Sequence, residues 1–284
     1  MIGYADDCTL LSPSRDGLQS MVILCENYFA SHGIAISVSA NPLKSKTKCM
    51  VFNPLSDPVC ICVNNIQLPW VNQAKHLGHL LNGDESSDHD ILFRRAEFIS
   101  KERALRQEIG DQDPNVYMLL VRSYLCAMYG SCLWNLFSAA ADKLYKSFNV
   151  LIRNNYGLPY ATHRYICYEI CNIPHLRISL FKRFIKFYLR VEKCPKPEIQ
   201  NLFLLQKSDV RSTFGHNAIN ICNELNAQSI NDIRISSIVM PGAITAENEW
   251  LLPFLFDLLE LRKHNTNLIP MTDVNDMIFY TACS

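Results

Sequence analysis

The 284-residue sequence has no net charge, because 27 basic and 27 acidic side chains cancel. A uniformly basic surface of the kind that draws in polyanions is therefore excluded. The chain also has no apolar run of transmembrane length, so no membrane partner is expected. It has no internal repeat, no low-complexity tract, no glycine-rich phosphate loop and no Ser/His/Asp arrangement. No secretory signal stands ahead of the first motif, and an intracellular protein, nuclear or cytoplasmic and not secreted, is the expectation. Twelve cysteines would suit a disulfide framework in an exported domain. Here Cys25, Cys126, Cys132 and Cys222 fall within apolar helical patterns, which points to reduced, buried thiols.

What is present supports substantial cores. Hydrophobic residues make up 49% of the chain, and its length allows two or three domains. Charge is unevenly spread. Residues 83–200 hold 17 basic and 13 acidic side chains, whereas residues 201–284 hold 5 and 9. A polyanion should therefore meet the middle of the chain.

Periodicity divides the sequence in two. Residues 2–4 and 8–11 read as strands around an Ala5-Asp6-Asp7 turn. A helix starts near Asp16, with Leu18, Met21, Val22, Cys25, Tyr28 and Phe29 on one face and Gly33 as its stop. Strands are predicted at 34–38, 47–52, 59–63 and 66–68, the last two around the turn signal Asn64-Asn65. Residues 75–81 close this part. From Asp88 onward the pattern is helical, with breaks at 110–114, 157–159, 172–174, 194–197 and 240–242. The fold class is α+β.

The chemistry-bearing motif is Tyr4-Ala5-Asp6-Asp7. Adjacent carboxylates repel one another, and an apolar hairpin that presents both is suited to a cation at its tip. Two divalent metals held there can clamp the attacking and leaving oxygens of a phosphoryl transfer. An Asp-rich hairpin chosen only for turn geometry is the plainer alternative.

Together with Cys8-Thr9-Leu10-Leu11, this motif resembles the catalytic hairpin of reverse transcriptases, most closely the non-LTR retrotransposon (LINE-like) type. Three further blocks follow in that family's order. They are Lys46-Thr47-Lys48-Cys49-Met50-Val51-Phe52, Ala74-Lys75-His76-Leu77-Gly78-His79-Leu80-Leu81, and Tyr129-Gly130-Ser131-Cys132-Leu133-Trp134. The last is similar to a Tyr-Gly-x-x-x-Trp helix of the thumb region. The resemblance covers residues 1–134 and fades beyond about residue 190.

The resemblance implies the C-terminal half of a reverse-transcriptase palm over 1–82 and a helical thumb over 83–165. Residues 166–284 would be a helical extension of open role. It implies an RNA-directed DNA polymerase with an RNA template and a DNA primer as partners. Asp6 and Asp7 would be catalytic ligands of Mg²⁺, a hard cation that prefers carboxylate and phosphate oxygens. Tyr4, Lys46 and Lys48 would lie at the incoming nucleotide, and His76, Leu77 and Gly78 would grip the primer. In one respect the sequence departs from the pattern. The family carries Asn about three residues before the first Lys of the Lys-Thr-Lys block, and here Asn41 stands five before Lys46. In full-length relatives the fingers and a further palm aspartate precede the Tyr-Ala-Asp-Asp hairpin. This chain is therefore expected to be a truncated copy, inactive alone.

Two basic stretches stand apart from these blocks. Residues 94–106 carry Arg94, Arg95, Lys101, Arg103 and Arg106 against Glu97 and Glu102. Residues 177–196 carry seven cations against Glu192 alone. Within the second stretch, Lys182, Lys186 and Arg190 recur every fourth residue, while Phe181, Phe184, Ile185, Tyr188 and Leu189 face inward. Such a row suits the phosphates of a duplex backbone, and a solvated helix face looks similar. A non-catalytic helical remnant that binds RNA or protein is the alternative function, and a chain without stable fold is a third. Cys167, Cys171 and His175, with Cys194 beyond, lack the Cys-x₂-Cys spacing of zinc sites and read as core.

Overall fold

The structure is a computed structural model. It describes residues 2–4, 7–39, 41, 45–52, 60–110, 113–171 and 173–238. These fall into two compact units, one up to Ser87 and the other from Asp88 onward. Among the described residues the first contains short strands and one helix and the second only helices, so the chain is α+β as the periodicity suggests.

In the first unit, β1 (Ile2–Tyr4) and β2 (Asp7–Thr9) form an antiparallel hairpin in which Tyr4 lies opposite Asp7. Asp7 thus belongs to the strand rather than the turn, and β2 ends at Thr9, two residues short of the predicted end. α1 (Arg15–Ser31) starts where the Ser14 side chain accepts the Gly17 N–H. A Cβ at Gly17 would come within 2.6 Å of the Ser12 hydroxyl, so a larger residue there would force that side chain to move. The helix stops before Gly33, whose φ of +69° is left-handed.

β3 (Cys62–Val63) and β4 (Ile66–Gln67) make a second hairpin, turned by Asn64 and Asn65 at φ of 49° and 61°. These angles are those of a type I′ turn, which matches strand twist. α1 packs on β3 and also completes its edge. The Gln19 amide donates to the Cys62 carbonyl and accepts the Cys62 N–H, both at 2.9 Å. In this way a side chain substitutes for a neighbouring strand. β5 (Gln73–His76) and β6 (His79–Asn82) form the third hairpin.

Two predicted strands do not form. Residues 34–38 are irregular, and residues 47–52 contribute only a parallel bridge from Cys49 to Trp70. Their alternation is real, since Ile36, Val38 and Cys49 contribute to the unit's small core. What they lack is a continuous hydrogen-bonded partner, and alternation without a ladder leaves extended chain. That core centres on Val22, Cys49, Ile61, Val63 and Leu68.

The second unit runs through α2 (Asp88–Ile109), α3 (Pro114–Tyr124) and α4 (Ala139–Tyr156). It continues with α5 (Arg164–Cys171), α6 (Leu176–Glu192), α7 (Pro197–Ser208) and α8 (Thr213–Glu224). The predicted breaks at 110–114, 157–159, 172–174 and 194–197 all separate these helices, while 240–242 lies outside the described residues. Caps explain the starts: Asp113, Ser138, His175 and Ser212 each accept a backbone N–H of the first turn. Gly157, at φ +60°, ends α4. α2 packs along α4, and one continuous core joins Ile91 and Phe98 through Phe148, Phe181 and Phe184 to Phe203 and Ile238. Helices on both sides of residue 165 therefore share a single interior.

The segment between α3 and α4 is not the helix that the Tyr-Gly-x-x-x-Trp resemblance implies. Met128 and Gly130 adopt left-handed φ of 38° and 77°, and only one turn of 3₁₀ helix follows at Ser131–Leu133. Two successive breaks of hand cannot be accommodated in an α-helix. Trp134 is nonetheless a central anchor. It is fully buried and donates its indole N–H to the buried Asp90 carboxylate at 2.7 Å. Asn217, also fully buried, donates to the Trp134 carbonyl at 2.7 Å and accepts the Leu136 N–H at 3.0 Å. This irregular chain segment thus has its polar groups satisfied from α2 and α8.

Candidate functional sites

The first candidate centre is the β1–β2 hairpin. Asp7 is exposed at the start of β2, while Asp6 lies outside the described residues. Two residues along β2, the Thr9 hydroxyl shares a 3.2 Å hydrogen bond with the His76 Nε2. That bond joins hairpins 67 positions apart in sequence. The β5–β6 turn is built by Leu77 and Gly78 at φ of 45° and 83°, with His76 opposite His79. Leu77 occupies a left-handed position that a non-glycine residue rarely takes. The structure thus brings the His76-Leu77-Gly78 turn beside the strand that carries Asp7.

Lys46 and Lys48 are both exposed, two residues apart on the same side of the extended segment. Thr47, between them, donates from both its N–H and its hydroxyl to the Ser37 carbonyl, at 3.3 and 2.9 Å. The buried Ser45 hydroxyl donates to the Thr47 carbonyl at 2.7 Å. These bonds hold the backbone while the two ammonium groups point to solvent. Tyr4 is placed by its pairing with Asp7. Among the described residues, no group of three or more His, Cys, Asp or Glu side chains stands together as a metal cage. Of the two expected Mg²⁺ ligands only Asp7 is among the described residues, and Mg²⁺ is usually held by one or two carboxylates together with substrate phosphates.

The second candidate is the outer face of α6. Its inner face is the core of the unit: Phe181, Phe184 and Ile185 are fully buried, and Tyr188 nearly so. On the other side, Lys186 and Arg190 are exposed and Lys182 is half-buried. None of the three has an acidic partner among the described residues. Two other cations of this stretch, Arg177 and Arg183, have structural tasks. Arg177 pairs with Glu224 at 2.7 Å and lies over the rings of Phe137 and Phe181. Arg183 donates to the carbonyls of Cys126, Ala127 and Met128. Sequence spacing separates these roles only in part: 182, 186 and 190 share a row, but nothing in the spacing identifies Arg183 as a clamp on a distant loop.

The stretch on α2 is different. Arg94 and Lys101 pair with Glu97, and Arg106 pairs with Glu102 at 2.9 Å. The Tyr117 hydroxyl also donates to Glu102, and burial together with that carboxylate pushes the phenol up to about 12. Arg95 donates to the Ser147 hydroxyl at 2.7 Å. Only Arg103 of the five is exposed and without a partner among the described residues.

Two cysteine expectations change. Ten cysteines are described, and all are thiols. Cys49 and Cys167 are buried, but Cys25, Cys126, Cys132 and Cys222 are only half-buried, and Cys8 and Cys60 are exposed. Cys126 lies in the turn after α3 and Cys132 in the single 3₁₀ turn, so neither is in an α-helix, whereas Cys25 and Cys222 are helical and sit at the edge of the buried face. His175 caps α6, accepting the Arg177 N–H at Nδ1, with its ring 4.2 Å from that of Tyr168. Burial, reinforced by Arg164 and Arg177, lowers its pKa to about 3.

No helix among the described residues is long and apolar enough to cross a membrane. No protein-family model, curated protein or solved structure gives a significant match to this chain.

Proposed function

We propose that the first unit is the C-terminal half of a reverse-transcriptase-type palm and that the helical unit begins with a thumb. The observation that supports this reading is the Thr9–His76 hydrogen bond. In a palm of this kind the primer-gripping turn must stand next to the carboxylate hairpin, because the primer 3′-hydroxyl attacks where the metals are held. In the intact family, Asp6 and Asp7 would help hold two Mg²⁺ ions, and Lys46 would lie near the triphosphate. That reaction also requires a further palm aspartate and fingers, which the four blocks of resemblance do not include. The chain alone should therefore synthesise no DNA. Primer extension on an RNA template with Mg²⁺ and deoxynucleotides tests this. Robust synthesis that Asp6→Asn abolishes would overturn it.

A second reading rests on a separate observation, the row Lys182, Lys186 and Arg190, which has no acidic partner among the described residues. The helical unit would act as a non-catalytic module that binds an RNA/DNA duplex through its phosphates. The row spans about 12 Å along α6, enough for about three phosphates of one strand. Titration of a labelled RNA/DNA duplex should show binding that weakens steeply with salt. Affinity independent of salt would contradict this reading.

A further inference from the structure

β2 has a different neighbour on each face, and the period-2 alternation of a strand assigns its side chains between them. Asp7 and Thr9 share one face, where the Thr9 hydroxyl meets the His76 ring. Cys8 takes the other. There its thiol is hydrogen-bonded to the thiol of Cys25 on α1. Cys25 stands three positions after Val22, so it lies on the side of α1 that faces the small core of the first unit. Two thiols from separate elements are thus held in contact.

They differ in access. Cys8 is exposed and Cys25 is half-buried. Burial, and then the adjacent Cys8 thiol, raises the Cys25 pKa. Thiol–disulfide exchange begins at an accessible sulfur and is completed by a second sulfur already beside it, the resolving cysteine. Cys8 and Cys25 meet these two requirements in that order. Cys49 of the same unit does not, because it is buried in the core and its thiol is pushed up to about 11.

We propose that Cys8 and Cys25 form a redox modification site, a dithiol that a low-molecular-weight disulfide converts reversibly into a covalent tie between the Asp7-bearing strand and α1. The Cys8 thiolate attacks one sulfur of the small disulfide, whose S–S bond breaks and releases one thiolate. The Cys25 thiolate then attacks the Cys8 sulfur of the mixed disulfide and expels the second. Two protein thiols are oxidised by two electrons, and the small disulfide leaves as two thiols that carry both protons. The site does not depend on the palm or duplex readings. To test it, the full chain is reduced, freed of reductant and treated with oxidised glutathione, and the remaining thiols are alkylated before peptide mass mapping. A cross-linked pair of peptides containing Cys8 and Cys25 should appear, with loss of two alkylatable thiols, and dithiothreitol should reverse both changes. Cys8→Ser and Cys25→Ser should each abolish the cross-link, whereas replacing the other exposed thiol, Cys60→Ser, should retain it. The cross-link should also form faster in the native chain than in urea, where the contact between β2 and α1 is lost. A stable glutathione adduct on Cys8 in place of the cross-link would overturn the proposal. Pairing of either thiol with Cys60, or a cross-link formed no faster in the native chain than in urea, would overturn it equally.

Discussion

α2 and α6 both present a run of cations to solvent-facing positions of one helical unit, yet their charges have different fates. On α2, Arg94, Lys101 and Arg106 are consumed by Glu97 and Glu102 one turn away on the same helix. On α6 the inward-facing or loop-facing arginines are used structurally, and Lys182, Lys186 and Arg190 are left with no acidic partner among the described residues. The lesson is that a basic run indicates an interface only after its internal pairing is subtracted. Surface pairs at i,i+3 or i,i+4 stabilise by only tenths of a kcal/mol. They nevertheless cancel the field that a phosphate would meet.

The comparison can be broken at α6 more readily than at α2, because α6 is the spine of the core. Phe184→Ala should lower stability by about 3–5 kcal/mol, and Phe184 packs on Phe214 and Tyr188 at ring distances of 5.4 and 6.3 Å. Denaturant unfolding followed by helical circular dichroism would measure it. A loss below about 1 kcal/mol would show that α6 is not central to the packing.

Acid should act on α6 next. His175 is folded with its pKa lowered to about 3 by burial and then by Arg164 and Arg177, against about 6.5 in the unfolded chain. The unfolded state therefore binds the proton more tightly. The stabilisation is complete above about pH 6.5 and is lost as pH falls toward about 3, by on the order of a few kcal/mol. Melting midpoints across that range should decline, and His175→Asn, which can still cap, should flatten the decline. An unchanged slope in that variant would place the acid sensitivity elsewhere.

At α2 the sensitive point is its inner end. Asp90→Ala should cost about 1–3 kcal/mol, because it leaves the buried Trp134 N–H without its acceptor. The outer face should be nearly silent. Glu97→Gln, which removes the carboxylate that Arg94 and Lys101 share, should change stability by less than about 0.5 kcal/mol. It should also raise duplex affinity slightly, since it uncovers charge.

Much of this was legible in the sequence, and the failures have physical causes. The helix breaks between α2 and α7 were marked by Gly157, Pro114, Pro174 and Pro197, residues whose backbone limits act locally. Of the inward set, Phe181, Phe184, Ile185 and Tyr188 are buried and Leu189 is half-buried at the edge of the core, as period 3.6 places them. Strands at 34–38 and 47–52 failed because a strand depends on a partner far away in sequence, and alternation specifies a face rather than a ladder. The loop around Tyr129 departs from the helix that the resemblance implies, because Met128 gives no outward sign of a left-handed conformation and Gly130 alone is an ambiguous signal. In the candidate sites, the row on α6 was readable from spacing. The Thr9–His76 bond was not, since it depends on how two hairpins fold onto each other. Nor was the Arg183 clamp, whose acceptors are backbone carbonyls that carry no sequence identity.

The salt dependence of duplex binding tests the central distinction between the two helices most directly. Two charge-reversed proteins would be compared with the parent: Lys182→Glu, Lys186→Glu and Arg190→Glu on α6, and Lys101→Glu, Arg103→Glu and Arg106→Glu on α2. If the α6 row contacts phosphate, its reversal abolishes measurable binding or cuts the slope of log affinity against log salt by about 2–3. Reversal on α2 should leave that slope within about one unit of the parent. Equal loss from both helices, or no loss from α6, would contradict the account.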